Sequence, residues 1–389
     1  MRFPIFGSLP ALALAIASSG LPTGASAQSQ PGRLVVIGGG LARDNLAVYR
    51  SILDARDGSG PLCVIPTAAA DPTAAIPGAV ANFDRHGGSG TAAGVLIDVA
   101  RPETAHDPAV VRALLGCSGF YFSGGVQSRI LQALLPGEER TPALAALLRR
   151  HAEGAVVSGS SAGAAIMSDP MIAGGSSAGA VRNGIRRAGA GEADDSAESA
   201  GGVSIARGLG LLPGALVDQH FLARGRVGRL IVALDQLPEF DLGFGIDENT
   251  ALVVAGDAAW TVGASGVVVL DARASGSSGS MRLHLMSRGD RFDMARRRLT
   301  MAADKAPLPT AGEPVALPDD VFARWSFLHL LADFGRSTAQ VLEVPTGTAT
   351  LVLRKTAGFQ AQSLPGTGVQ GTPDALSITG LELELRRRP

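Results

Sequence analysis

One hexapeptide, Gly-Ser-Ser-Ala-Gly-Ala, occurs twice in this 389-residue chain, at residues 159–164 and 175–180. Each copy contains Gly-x-Ser-x-Gly, a pattern that sets a nucleophilic serine on a sharp turn between a strand and a helix. The requirement is steric. Small residues two before and two after the serine let strand and helix approach closely, and the turn presents the hydroxyl beside helix-start N–H groups able to stabilise an oxyanion. A single match is weak, so context must separate the copies. Ser161 follows the apolar run Ala155-Val156-Val157 and precedes Ala164-Ala165-Ile166-Met167, which reads as strand, turn, helix. Ser177 follows Ala173-Gly174 in a glycine-rich stretch and precedes Val181-Arg182-Asn183. Ser161 is therefore the candidate nucleophile and Ser177 its decoy.

A serine nucleophile needs a base, and the chain has six histidines, at 86, 106, 151, 220, 284 and 329. His86 reads as a helix end, His106 as loop and His151 as the end of a basic helical turn, while His284 and His329 lie in apolar stretches. His220 differs, because Asp218, Gln219, Arg224, Arg226 and Arg229 crowd around it just after the apolar run Ala215-Leu216-Val217. The bland alternative for the arginines is a solvated helix face. For a group to orient the imidazole, Gly245-Ile246-Asp247-Glu248-Asn249-Thr250 offers two adjacent carboxylates at a strand end, where α/β sheets assemble their sites. Spacing alone does not choose between Asp247 and Glu248. The chain order Ser, His, acid also differs from that of α/β-hydrolases, where the acid precedes the histidine.

The elements that would position these groups alternate from residue 33 onward. Strands are expected at Leu34–Ile37, Leu62–Ile65, Gly94–Val99, Phe120–Phe122 and Ala155–Val157, with helices between them. Thr141-Pro142 marks one helix start as N-cap followed by proline. Apolar runs buried on both faces and separated by helices predict a mostly parallel sheet in a three-layer α/β domain. Gly38-Gly39-Gly40 reads as the turn after the first strand; without the GxGxxG spacing it is poor evidence for a dinucleotide. Residues 174–203, rich in Gly, Ala and Ser with acids at Glu192, Asp194 and Asp195, read as a surface loop. Closely spaced strands at Ala251–Val254, Trp260–Val262 and Gly266–Leu270 predict an antiparallel extension of the sheet. A Pro/Ala/Gly-rich linker at Ala302–Pro318 then leads to a helix over Asp319–Phe334 and strands at Gln340–Leu353 and around Leu381–Leu385.

Composition bounds the alternatives. With 46% hydrophobic and 18% charged residues the chain is globular, and a formal net charge of −1 offers no field for nucleic acid or an anionic membrane. Residues 1–27 read as a signal peptide: Arg2, the apolar Ala11–Ala17, and Ala25-Ser26-Ala27 as the cleavage site. That run is far shorter than the ~20 residues a membrane helix needs, and no later stretch has the composition of a span. Export would permit a disulfide between Cys63 and Cys117, but both sit in apolar runs and are expected as free core thiols. Two cysteines cannot make a Cys-type zinc site and no HExxH occurs, so no metal or other cofactor is expected. The expected organisation is signal peptide 1–27, catalytic domain 28–302 and C-terminal segment 303–389.

Four stretches together, Phe122–Arg129, Gly159–Met167, Asp218–Arg229 and Gly245–Thr250, resemble the cyanophycinase family of serine peptidases, related to peptidase E. The likeness runs from about Val35 to the Gly289-Asp290 region. It implies a flavodoxin-like sheet akin to class I glutamine amidotransferases, with Ser161 as nucleophile, His220 as base and Glu248 as the orienting acid. It implies oxyanion-hole N–H groups at Gly125 and Ala162, and a substrate pocket lined by Gln127, Asp218, Gln219, Arg224, Arg226 and Arg229. The implied substrate is cyanophycin, a poly-aspartate backbone carrying arginine on each side chain, cleaved to β-Asp-Arg dipeptides. Arginines suit its carboxylates, and Asp218 and Gln127 suit its guanidinium groups. The resemblance also suggests a homodimer.

Two departures stand out. Ser160 occupies a position where the family commonly has threonine, and residues beyond 303 exceed the compact intracellular enzymes, which with the signal peptide points to the exported type. The rival readings are an aspartyl or isoaspartyl dipeptidase of the same superfamily, which would need fewer pocket arginines, and a non-catalytic polymer-binding relative.

Overall fold

The β-branched apolar runs become strands buried on both faces. The computed structural model describes residues 31–187, 201–273, 279–312 and 314–387; the expected signal peptide and the acids at 192, 194 and 195 lie outside these. Five strands run parallel, β1 (Leu34–Ile37), β2 (Leu62–Ile65), β3 (Ala92–Gly94), β4 (Gly119–Phe122) and β5 (Val156–Ser160), in the spatial order β1-β5-β4-β2-β3. The run β5-β4-β2-β3 has the doubly wound arrangement of flavodoxin-like sheets. The strand expected at Gly94–Val99 lies earlier and is shorter. Helices α1 (Leu46–Leu53), α2 (Pro72–Gly87), α3 (Pro108–Leu115), α4 (Gln127–Leu134) and α5 (Pro142–Ala152) connect or follow these strands. Asn45, Asp71, Asp107 and Thr141 cap four of them through side-chain oxygens, and a proline follows three of those caps.

Cys63 and Cys117 form a disulfide, with Cα atoms 5.8 Å apart. The expectation of free thiols is therefore corrected. Cys63 lies in β2 and Cys117 just before β4, and pairing of those strands brings together two residues distant in sequence.

Beyond β5 the chain forms α6 (Ala162–Ala165), β6 (Met171–Gly174), α7 (Ser177–Asn183), β7 (Ile185–Arg187), β8 (Val203–Ala206), β9 (Ala215–Asp218), α8 (Val227–Gln236) and β10 (Leu242–Ile246). In the described residues of the stretch read as a surface loop, regular elements form instead: β6, β8 and β7 make a small sheet, with Ala180, Val181 and Val203 buried. Small residues there allow close packing rather than signalling a loop.

Strands β11 (Thr250–Ala255) and β12 (Ala258–Gly263) extend the first sheet antiparallel from β1, as expected. Next come β13 (Gly266–Asp271), β14 (Ser280–Ser287), β15 (Arg291–Asp293), β16 (Arg298–Thr300) and β17 (Ala306–Pro307), then α9 (Ser326–Arg336), β18 (Val341–Pro345), β19 (Ala349–Thr367) and β20 (Pro373–Arg387). β15 and β16 continue the first sheet, whereas β13 leaves it. Among the described residues, β13 joins a second sheet in the order β17-β19-β20-β14-β13-β10-β9, with β18 on β19.

Residues beyond 303 are thus built into the second sheet through the β20–β14 pairing, and α9 buries Phe327, Leu328, Leu331 and Phe334 in the same core as β9, α8 and β13. A buried ion pair fastens the join: Lys305 Nζ lies 2.5 Å from Asp290, and both charged groups hydrogen-bond Ser377 of β20. No helix among the described residues is long and apolar enough to cross a membrane.

Candidate active site

The first sheet delivers Ser161 at the end of β5, in the turn before α6. Its backbone has φ 55° and ψ −110°, a left-handed φ that L-residues rarely adopt outside constrained sites. The flanking glycines permit it. A Cβ on Gly159 would lie 2.2 Å from the Gly163 carbonyl oxygen, and one on Gly163 would lie 2.5 Å from that of Phe122. Ser161 N–H donates to the Ile37 carbonyl at 3.0 Å, tying the elbow to β1. Ala162 opens α6, so its N–H belongs to the first turn, where no intrahelical acceptor exists. Gly124 lies against the serine, since its Cβ would come 3.3 Å from Ser161 Cβ. Gly125 follows with φ 145°, and a Cβ there would sit 2.0 Å from the Ala68 carbonyl oxygen.

The second sheet delivers the partners. His220 leaves the end of β9 with φ 49°, and its N–H donates to the Gly38 carbonyl at 2.7 Å. Its Nε2 lies 2.9 Å from Ser161 Oγ and its Nδ1 lies 2.6 Å from Glu248 Oε1. With Glu248 ionised, Nδ1–H donates to the carboxylate and Nε2 accepts the serine proton. Burial, then the nearby Arg224 charge, lower the His220 pKa, with Glu248 opposing them. That direction favours the neutral imidazole, the state a base requires.

The structure separates the adjacent carboxylates that spacing could not. Asp247 is fully buried: Oδ1 accepts from Leu222 and Ala223 N–H at 3.1 and 2.8 Å, and Oδ2 accepts from Ser265 Oγ at 2.5 Å. Burial pushes its carboxyl up to about 6. Asp247 thus holds the backbone just after His220, while Glu248 faces the imidazole.

Gly38-Gly39-Gly40, read from sequence only as a turn, turns out to frame the site. A Cβ on Gly39 would lie 2.2 Å from His220 Cε1, and one on Gly40 would lie 3.3 Å from Glu248 Cβ. Asn249, with φ 53°, donates its N–H to the Gly39 carbonyl at 2.8 Å, and its Oδ1 accepts from Asn45 Nδ2 at 2.7 Å. Sequence reasoning missed these supports; the one available signal was a run of glycines at the end of a central strand.

The pocket residues divide. Asp218 and Arg229, each with a side chain 1% exposed, close on one another as a bidentate pair at 2.7 and 2.5 Å, and Arg229 also donates to the Gly175 carbonyl. Asp218 does receive a guanidinium, but from within the chain, which differs from its expected role toward substrate. Arg226 is buried and donates to both the carbonyl and the side-chain oxygen of Gln219, at 2.9 and 2.8 Å. Arg224 alone of the three reaches solvent, its side chain 39% exposed and its Nε 4.0 Å from Glu248 Oε1. Gln127, at the start of α4, is fully buried and donates to the Ala173 carbonyl. Its Oε1 and the Gln219 Nε2 are buried with no hydrogen-bond partner among the described residues.

Ser177 is elsewhere. It is 4% exposed at the start of α7, donates to the Gly225 carbonyl at 2.6 Å and accepts from Gly228 N–H at 3.0 Å.

An α/β sheet that ends in a Ser–His–Glu hydrogen-bonded series defines a serine hydrolase. Comparison with known proteins narrows the class: the model of peptidase family S51 matches residues 34–262, and the chain belongs to that family of serine-type peptidases. The cyanophycinase of Nostoc sp. is 33% identical over 226 residues, which cover 54% of this chain and 68% of that one. The cyanophycinase of Geminocystis herdmanii is 31% identical over 247 residues, covering 60% of this chain and 82% of that one. A crystal structure of a peptidase from an acI-B1 Actinobacterium overlays with a TM-score of 0.49 at 20% identity, over 68% of this chain and 98% of that one. That likeness is too loose to bear on function.

Proposed function

We propose that the protein is an exported serine exopeptidase that hydrolyses cyanophycin to β-Asp-Arg dipeptides. The observation that carries the reading is the Ser161–His220–Glu248 series, at 2.9 and 2.6 Å, on a strained elbow. His220 Nε2 takes the Ser161 proton as Oγ bonds to the carbonyl carbon of a backbone aspartyl amide. The carbonyl electrons move onto oxygen, where the Gly125 and Ala162 N–H groups are the oxyanion donors. The C–N bond then breaks, and the amine leaves with the proton held by His220. Water, deprotonated in turn by His220, hydrolyses the acyl ester and restores Ser161. Exposed Arg224 is suited to a substrate carboxylate.

Two features support export: the character of residues 1–27 and the Cys63–Cys117 disulfide, a bond that persists mainly in oxidising compartments.

An aspartyl dipeptidase is favoured by one observation, the mutual closure of Asp218 and Arg229, which leaves fewer arginines free for a polymer. One experiment separates the readings. Protein from Gln28 onward is incubated with purified cyanophycin beside Ser161→Ala, following turbidity and identifying soluble products by mass. Clearing with β-Asp-Arg release, absent in the variant, supports the proposal. Intact polymer with hydrolysis of aspartyl dipeptides shifts the substrate, and turnover that survives Ser161→Ala moves the nucleophile.

A further inference from the structure

The segment from His220 to Arg229, a loop that runs into the first turn of α8, carries the imidazole and all three pocket arginines, yet its two halves are held by different parts of the molecule. The first half hangs on the strands that build the catalytic series. His220 N–H donates to Gly38, Phe221 N–H to Ile246, and Leu222 and Ala223 N–H to Asp247.

The second half is wedged between two other walls. On one side Ser177 bonds the Gly225 carbonyl and the Gly228 N–H. On the other lies the stretch before α9, from the C-terminal segment. A Cβ on Gly225 would lie 1.9 Å from the Phe322 carbonyl oxygen, and one on Gly228 would lie 3.0 Å from the Phe322 ring. Trp325 N–H donates to the Leu222 carbonyl at 2.9 Å, from a residue 9% exposed with φ 65°. Gly225 itself has φ 60°, so that position is conformationally restricted as well as crowded.

We infer that the C-terminal segment, through Phe322 and Trp325, positions the arginine-bearing half of the His220–Arg229 loop and so sets substrate affinity without setting the chemistry. The inference deepens the proposed function and rests on it for the identity of the substrate. The segment touches neither the Ser161–His220 contact nor Glu248 in any bond described above. Its contacts begin at Leu222 and concentrate at Gly225 and Gly228, flanking Arg224 and Arg226. Phe322 and Trp325 are positioning residues, acting through the loop.

The test compares the mature protein with Phe322→Ala, Phe322→Leu and Trp325→Phe. Three readouts are taken: steady-state hydrolysis of soluble cyanophycin, the rate at which a fluorophosphonate labels Ser161, and amide hydrogen exchange across 220–229. The expected result for Phe322→Ala is a KM raised about tenfold with kcat and labelling rate within about twofold. Exchange should quicken at 224–228 and not at 220–223, and Phe322→Leu should recover most of the KM. A fall in kcat and labelling at unchanged KM would overturn the inference, as would unaltered KM and exchange in a folded variant. Should Phe322→Ala melt below the assay temperature, Phe322→Leu and Trp325→Phe carry the same readouts at smaller amplitude. If the parent protein fails to hydrolyse cyanophycin, the substrate reading falls while hydrogen exchange still decides the positioning role.

Discussion

Residues 159–164 and 175–180 are the same six amino acids in two architectures, and one of them sets its serine against an imidazole. At the first, β5 is a central strand buried along its length, and it drives the chain into a turn with Ser161 at φ 55°. At the second, β6 pairs with β8 through a register shift between Ile172 and Gly174, and the chain enters a capped helix instead. Ser176 is that N-cap, accepting from Gly179 N–H at 3.0 Å. The hydroxyl of Ser161 meets an imidazole; that of Ser177 is consumed by two backbone groups. The motif is permissive, and the strand that feeds it together with the groups facing it decides its use.

The sharpest way to break this contrast is to delete each hydroxyl. Ser161→Ala should lower kcat by about 10⁴-fold or more, whereas Ser177→Ala should keep kcat within a fewfold; polymer clearing and product mass read both. The reverse pattern would exchange the roles of the two sites. Next in size is Glu248→Gln, expected to cost about 10³- to 10⁴-fold in kcat by offering His220 the wrong hydrogen-bonding partner. Asp247→Asn should act mainly on folding, read as a lowered Tm. Ser177→Ala should cost about 1–3 kcal/mol of stability, since it leaves a buried carbonyl and a buried N–H without their partner, again read by thermal or denaturant unfolding.

The smallest effect is on pH dependence. The His220 pKa is held below the ordinary imidazole value by burial and by Arg224. The base works when neutral, so the rate of Ser161 labelling should fall only on the acid side of that ordinary value. Arg224→Gln removes a positive neighbour, raises the His220 pKa and moves the acid limb upward. A limb that stays put would show that Arg224 is not a neighbour of the imidazole in solution.

Much of this was readable beforehand, because the relevant signals are local. Four of the five parallel strands lie close to their apolar runs, Thr141-Pro142 starts α5, and Ser161 and His220 stand where their neighbours implied. What escaped is lateral. Cys63 and Cys117 are 54 residues apart and meet because β2 and β4 are neighbours. Spacing left Glu248 and Asp247 open, and only the family resemblance pointed to Glu248, because the choice depends on which side chain turns inward to Leu222 and Ala223. The β13 run looked like one more strand of the first sheet, yet joins the second, since nothing in a strand names its partner. Asp218 and Arg229 looked available to a ligand because opposite charges in sequence do not announce that they have found each other.

The position of β20 has a consequence for how the protein is made. It lies between β19 and β14, and its Ser377 completes the buried Lys305–Asp290 cluster. A ribosome, or a translocation channel threading the chain from its N-terminus, releases Ser161, His220 and Glu248 more than a hundred residues before β20 arrives. Until then β14 has an open edge, Lys305 and Asp290 lack the Ser377 hydroxyl, and α9 has only part of its sheet to rest on. The proposed catalytic groups thus arrive well before the last strand of their support, so on the proposed reading a nascent chain would carry its serine before the loop that holds substrate is braced.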